Sequence, residues 1–351
     1  MSMINELIKR SLPFLIIALT PFTASVNAED ELIEWDVSGT SSSRLRYITQ
    51  KDQTLLQKHI SLQLRAKLNG GWEVIGVGSN GPRFNSRFDR LYDSNKENEF
   101  SDANKVIDNF SLRNLYAQKQ VTQDLKFQVG ALQRNKGLKS ITAFDSSGWI
   151  DGARVILNTD QLGEVIVTAG ALGENDKTNI WERDLDLDYV EIRMKKEVFE
   201  NYTMQLGYEK YDGTNFISFA SNYEIEYATE SVLKILTEAL YDVDTDKLKA
   251  SVGFAAELGK LFKFLPQSVT FEARHNYISD DFNPRGYNYP GGFATPDTPG
   301  HYNTFVLKGK FDVKGKNAFS RFMKNTSWSF RVRQEYVTDQ EVVEFNFTKK
   351  F

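Results

Sequence analysis

Sixteen stretches of about ten residues with apolar side chains at alternate positions follow one another from residue 43 to the end of this chain. They cover 43–50, 59–68, 72–79, 108–118, 123–133, 150–159, 163–172, 184–195, 201–211, 215–229, 231–241, 246–258, 268–278, 302–312, 325–337 and 341–351. A period of two puts successive side chains on opposite faces, which is the signature of a strand. Ten residues is also the length at which a tilted strand crosses a bilayer. The clearest alternators carry Ile60, Leu62, Leu64, Ala66 and Leu68, then Leu125, Phe127, Val129 and Ala131, and Trp328, Phe330, Val332 and Tyr336. The stretch 231–240 (SVLKILTEAL) fits a short helix equally well.

The connections sort by length. Those after odd-numbered stretches include 80–107, 134–149, 173–183 and 280–301, whereas those after even-numbered ones are mostly short, such as 69–71, 119–122 and 160–162. Long loops on one side and short turns on the other is the pattern of a transmembrane β-barrel. Such a barrel leaves no backbone group unpaired in hydrocarbon and no sheet edge exposed. The expected fold is therefore all-β, a single antiparallel transmembrane barrel of about sixteen strands spanning 29–351. Counts of fourteen or eighteen differ by one hairpin, in 215–241 or in 32–37. Trp72, Tyr202, Tyr208, Tyr277, Tyr336 and Phe351 fall at strand ends, where aromatic girdles meet the membrane surface.

Composition agrees. Aromatic residues make up 13% of the chain while hydrophobic residues total 40%, as expected where only alternate positions face lipid. After residue 30 there is no run of about 18 apolar residues, so membrane-spanning helices are excluded there. Near the N-terminus Lys9 and Arg10 precede the apolar run 12–19, and Val26, Asn27 and Ala28 have the small-x-small form of a signal-peptidase site. Residues 1–28 are expected to be a signal peptide cleaved after Ala28. Net charge is −4 with no basic tail, so nucleic acid is not suggested. The chain has no cysteine, which excludes disulfides, thiolate metal sites, a cysteine nucleophile and a lipidated cysteine.

The last eleven residues, 341–351 (EVVEFNFTKKF), place Phe351, Lys349, Phe347, Phe345 and Val343 on one face. Lys349 departs from that apolar pattern, and its methylene stem tolerates the membrane boundary. An amphipathic strand ending in a chain-terminal Phe resembles the closing strand of Gram-negative outer-membrane β-barrels of the porin-like kind. The resemblance implies an outer-membrane location with both termini periplasmic, contact with outer-membrane lipids, and recognition of the strand ending at Phe351 by the barrel assembly machinery. It also implies passive diffusion of small hydrophilic solutes without a cofactor, and a homotrimer is common among relatives of this size.

Faces opposite the lipid-facing ones carry charge. Around the closure point Arg44, Arg46, Arg65, Lys67, Lys308, Lys310, Arg331, Arg333 and Lys350 are expected to point inward, against Glu335 and Glu344. Across the barrel the expected acidic wall includes Glu209, Glu224 and Glu226, with Asp184, Asp186, Asp188 and Glu191 nearby. Sixteen strands enclose an aqueous channel, and facing walls of opposite sign would orient polar solutes within it. The third connection on the long-loop side, 134–149, carries Arg134, Lys136 and Lys139 against Asp145 alone. In general porins, which this chain resembles, that loop narrows the pore and is typically acidic; the basic composition here implies a preference for anions. The loop 280–301 offers Tyr287, Tyr289 and Phe293 to sugar rings or to the pore mouth.

Other classes find less support. Outer-membrane lipases and proteases need a histidine beside a nucleophile, and His59, His275 and His301 show no such partner in sequence. His275 shares the outward phase of Val269, Phe271 and Tyr277. An acidic face at Asp184, Asp186 and Asp188 could hold Ca²⁺, but a solvated strand end accounts for it more simply. A structural or adhesive barrel with ligand-binding outer loops is a further alternative.

Overall fold

Alternation extends almost unbroken along the chain, and it produces one closed sheet. The structure, a computed structural model, describes residues 33–351 apart from 82–88, 95–109, 136, 141, 143–148, 174–178, 182–186, 212, 229–230, 263, 281, 283–298, 312–323 and 337–339. The expected signal peptide lies outside the described residues. The strands are β1 (Glu34–Ile48), β2 (Gln53–Leu68), β3 (Trp72–Ser79), β4 (Asp89–Asp93), β5 (Ser111–Gln120), β6 (Leu125–Gln133), β7 (Trp149–Thr159), β8 (Gly163–Leu172) and β9 (Tyr189–Phe199). They continue as β10 (Tyr202–Tyr211), β11 (Thr214–Ala228), β12 (Ser231–Asp242), β13 (Lys247–Ala256), β14 (Thr270–Ile278), β15 (Gly300–Lys310), β16 (Thr326–Glu335) and β17 (Gln340–Lys350).

Neighbours pair antiparallel around the whole circuit, and β17 returns to β1. β4 pairs with the first part of β2 while β3 pairs with the second part. The two are halves of one broken strand, so sixteen positions circle the barrel. At the break, buried Asn80 stands in for the missing ladder: its side chain accepts from Ile60 N and donates to Lys58 O and Asp89. Ser231–Asp242 is a strand, not a helix, because β11 and β13 flank it in register from Phe216↔Asp242 and Leu233↔Ala256.

Closure occurs at the terminal residue. β1 and β17 pair from Ile48↔Val342 to Thr40↔Lys350, and Gly39 and Phe351 exchange backbone hydrogen bonds of 2.8 and 3.0 Å. The Phe351 ring packs over Gly39, 2.4 Å from where a Cβ would stand, so the last aromatic lies close against the wall there. Lys349 points outward and its ammonium reaches Lys324 O in the β15–β16 connection. Four non-glycine residues at hairpin ends, Asp52, Asn201, Asp246 and Asn325, adopt positive φ, the conformation that Asn and Asp tolerate best.

Cross-strand registers fix which residues face inward. Gly130, Gly152 and Gly170 share one inward row, flanked by Tyr116 and Tyr189. A Cβ on Gly152 would sit 2.0 Å from Ala169 O, and one on Gly170 2.4 Å from Asp151 O. The wall coils too sharply there for any side chain. Gly152→Val is therefore expected to lower stability by about 3 kcal/mol, the upper end of ordinary overpacking, whereas outward Ala153→Val leaves it unchanged. Urea unfolding followed by tryptophan fluorescence checks this.

Candidate functional site: a charged inner wall and an inward loop

Strand order puts β1 eight positions from β10, so the closure sector and the β9–β12 sector face one another across the lumen. On the closure side, alternate positions of β1, β16 and β17 turn polar groups inward. Glu344, almost fully buried, sits among three guanidiniums. Arg46 Nε donates to its Oε1 at 2.6 Å, Arg44 Nη1 lies 3.5 Å from the same oxygen, and Arg331 Nη1 donates to Oε2 at 3.3 Å. Arg333 lies beside Glu335 at 3.5 Å, and Arg44 Nε also donates to Gln57 at 3.0 Å. One carboxylate holds three cations in place, and the group keeps a positive excess. Arg331 keeps 40% of its side chain exposed and Lys308 keeps 54%, so both present their charge openly to the lumen.

Arg65 and Lys67 face inward from β2, opposite Ile75 and Glu73. Lys308 and Lys310 do so from β15, and Lys350 from β17. Lys308 and Lys310 border a recess of about 400 Å³ that Ser268, Thr270, Ser327 and Ser329 line with hydroxyls.

The β6–β7 connection turns into the barrel and attaches to the opposite wall. Leu138 N donates to Gln205 Oε1 at 2.7 Å. Lys139 is buried, its ammonium paired with Glu209 and 3.3 Å from Ser218 Oγ. Glu238 receives Ser140 N at 2.8 Å, Ser140 Oγ at 2.6 Å, and both Thr142 N and Oγ1 at 3.1 Å, while Arg274 pairs with it from β14. At its base, the Arg193 guanidinium donates to Asn135 O and lies 3.2 Å from Glu191. Arg154 bonds Thr168 at 3.0 Å, Gln128 at 3.2 Å and Gln133 O at 2.9 Å. This polar layer satisfies buried groups that would otherwise oppose folding.

Several sequence expectations acquire a different electrostatic role. Lys139 is turned to the wall and matched by Glu209, so the positive loop and the acidic wall meet as an ion pair instead of facing each other across solvent. Glu224 is likewise paired with Lys234, and Glu226 is exposed. Arg134 is buried at the start of the loop. Lys136 and Asp145 lie outside the described residues, as do Asp184, Asp186, Tyr287, Tyr289 and Phe293. Asp188 accepts from Leu172 N at 2.7 Å, which ties it to the end of β8. Glu238, Arg274, Arg154, Arg193 and Gln205 were not singled out by sequence reasoning. Inward phase alone would have selected Arg274; Glu238 was hidden by the helix-like stretch around it.

No family model matches the sequence, and no curated protein matches it. Solved structures do match in fold. Pseudomonas aeruginosa OprD, an outer membrane protein, aligns with TM-score 0.57 at 10% identity over 93% of this chain and 95% of its own. A mutant of the Rh. blastica porin aligns with TM-score 0.56 at 8% identity over 91% and 100%. Pseudomonas aeruginosa OpdQ aligns with TM-score 0.54 at 12% identity over 91% and 97%. At such identities the likeness concerns the fold, so this chain has the closed antiparallel β-barrel fold of these outer-membrane proteins and porins.

Proposed function

We propose that this chain is an outer-membrane channel for passive diffusion of small hydrophilic solutes, with a preference for anions. The observation that supports it most is the pairing of an inward loop on the β9–β12 wall with a net-positive cluster, Arg44, Arg46 and Arg331 around Glu344 and Arg333 beside Glu335, on the opposite wall. A sixteen-strand barrel leaves room for water, and fixed charges at a narrowing bias which ions enter it. The porin fold of the structural neighbours supports the outer-membrane location and contact with lipids through the outward apolar face. The short-turn end, where Phe351 lies, is the periplasmic one in this reading, with the strand ending there serving as the assembly signal. The remaining basic wall, Arg65, Lys67, Lys308 and Lys310, extends the positive path along the lumen.

Planar-bilayer recording tests this reading. Reconstituted protein is expected to give discrete conductance steps and, in a KCl gradient, a reversal potential of the sign set by chloride. A barrel that does not conduct would remove the channel reading, and a potassium-selective one would remove the anion preference.

A further inference from the structure

The outward face holds a polar cluster that a solute channel does not use. His275 on β14 and His301 at the start of β15 are diagonal neighbours, because His301 pairs with Tyr277 and His275 with Asn303. Both are exposed. They lie at the barrel end that carries the β6–β7 loop. His275 Nε2 and His301 Nδ1 are 3.0 Å apart, with the rings near-parallel at 24° and their centroids 5.2 Å apart. Tyr277 packs against His301 at 4.9 Å.

A second layer orients the pair. Asn303 Nδ2 donates to the Tyr336 hydroxyl, which turns Asn303 Oδ1 towards His275 Nδ1 at 2.9 Å. His275 then carries its proton on Nδ1, and Nε2 is left with a lone pair aimed at His301. A ligating imidazole held through its other nitrogen by a carbonyl oxygen is the usual arrangement in protein metal sites.

We propose that His275 and His301 form a two-histidine site for a divalent transition metal, Cu²⁺ foremost and Ni²⁺ next. The two nitrogens, 3.0 Å apart, are close enough for one ion to reach both with bonds of about 2.0–2.1 Å. His301, which donates its Nδ1 proton to His275 in this arrangement, takes the tautomer protonated on Nε2, and rotation about χ2, a broad torsion in histidine, then brings both lone pairs onto one point. Imidazole nitrogen suits Cu²⁺, which also heads the affinity order of the divalent series. The two protein ligands leave the remaining positions open to water or to an external anionic ligand.

The test is titration of the folded, detergent-solubilised barrel with Cu²⁺, read by electron paramagnetic resonance and calorimetry. One Cu²⁺ per chain with a two-nitrogen equatorial signature is expected. His275→Gln and His301→Gln should each weaken binding at least tenfold and remove one nitrogen from the spectrum. His59→Gln, on the inward phase of β2, should change neither, and conductance should be unaffected by the two outward substitutions. Asn303→Ala, which only frees the His275 ring, should cost a smaller factor. Binding no tighter than millimolar in the unaltered protein would overturn the proposal and leave the pair a simple hydrogen bond. So would an unchanged two-nitrogen signal in the double variant.

Discussion

Arg331→Glu combined with Lys308→Glu is expected to lower the chloride-to-potassium permeability ratio about 30-fold and move the reversal potential towards potassium. The two substitutions change the lumen charge by four units at two open cationic positions of the closure sector. A unit charge about 8 Å from a passing ion acts on it with about 0.5 kcal/mol in water. Four such units, roughly halved by screening at 0.1 M salt, amount to about 1 kcal/mol against chloride and about 1 kcal/mol in favour of potassium, which is about fivefold in each partition and about 30-fold in their ratio. Arg333 is the wrong target, because it is buried beside Glu335; reversing it would place two carboxylates together and report on folding. Arg46 is excluded for the same reason, being the closest cation to Glu344. The comparison that decides is Lys349→Glu, which alters charge at the same end of the barrel on the outward face. If it moves the reversal potential as far as the lumen pair does, the inner wall does not set selectivity.

Much of this architecture was legible because a membrane barrel repeats one rule sixteen times. The lipid-facing phase of Ile60 to Leu68 or Leu125 to Ala131 cannot be satisfied by a register slip, which would turn every apolar side chain to the lumen. What escaped the pattern lies where lipid imposes no alternation. β1 and β2 begin or end outside the stretches that alternate clearly: β1 runs from Glu34 and β2 from Gln53, so the connection expected at 51–58 shrinks to a tight turn at 49–52. Residues 32–37 belong largely to β1 and add no hairpin. β4 sits inside the connection expected at 80–107, and it depends on Asn80, whose wedge role is a tertiary property. The inward charges of β1, β2, β15, β16 and β17 followed from phase. Their partners did not, because pairing across strands and loops depends on shape. The sequence showed a basic loop and acidic residues on the far wall; only the fold shows that Lys139 and Glu209 are in contact.

That contact makes the β6–β7 loop the second place where a single change should be felt strongly. Glu238→Ala removes the acceptor of four hydrogen bonds from Ser140 and Thr142 together with one partner of Arg274. Breaking a buried ion pair typically costs about 3–5 kcal/mol, but Arg274 keeps Glu272 at 2.5 Å. A net loss of about 2 kcal/mol is therefore expected in the attachment of the loop, which shifts the attached-to-detached ratio by roughly 30-fold. Single-channel records should show this as long dwells at a higher conductance level, while the strands, paired independently of Glu238's carboxylate, keep their circular-dichroism spectrum. Glu224→Ala provides the contrast: its pair with Lys234 is more than a third exposed on both sides, and exposed pairs contribute about 0–1 kcal/mol. Its dwell times should match those of the unaltered channel. Glu209→Gln should loosen the loop as well, by removing the negative charge paired with the buried Lys139 ammonium. Because Leu138, Lys139, Ser140 and Thr142 detach together, the Glu209 and Glu238 changes should combine to less than the sum of their separate effects. Strict additivity, or a conductance that Glu238→Ala leaves untouched, would mean that the loop is held by residues other than these.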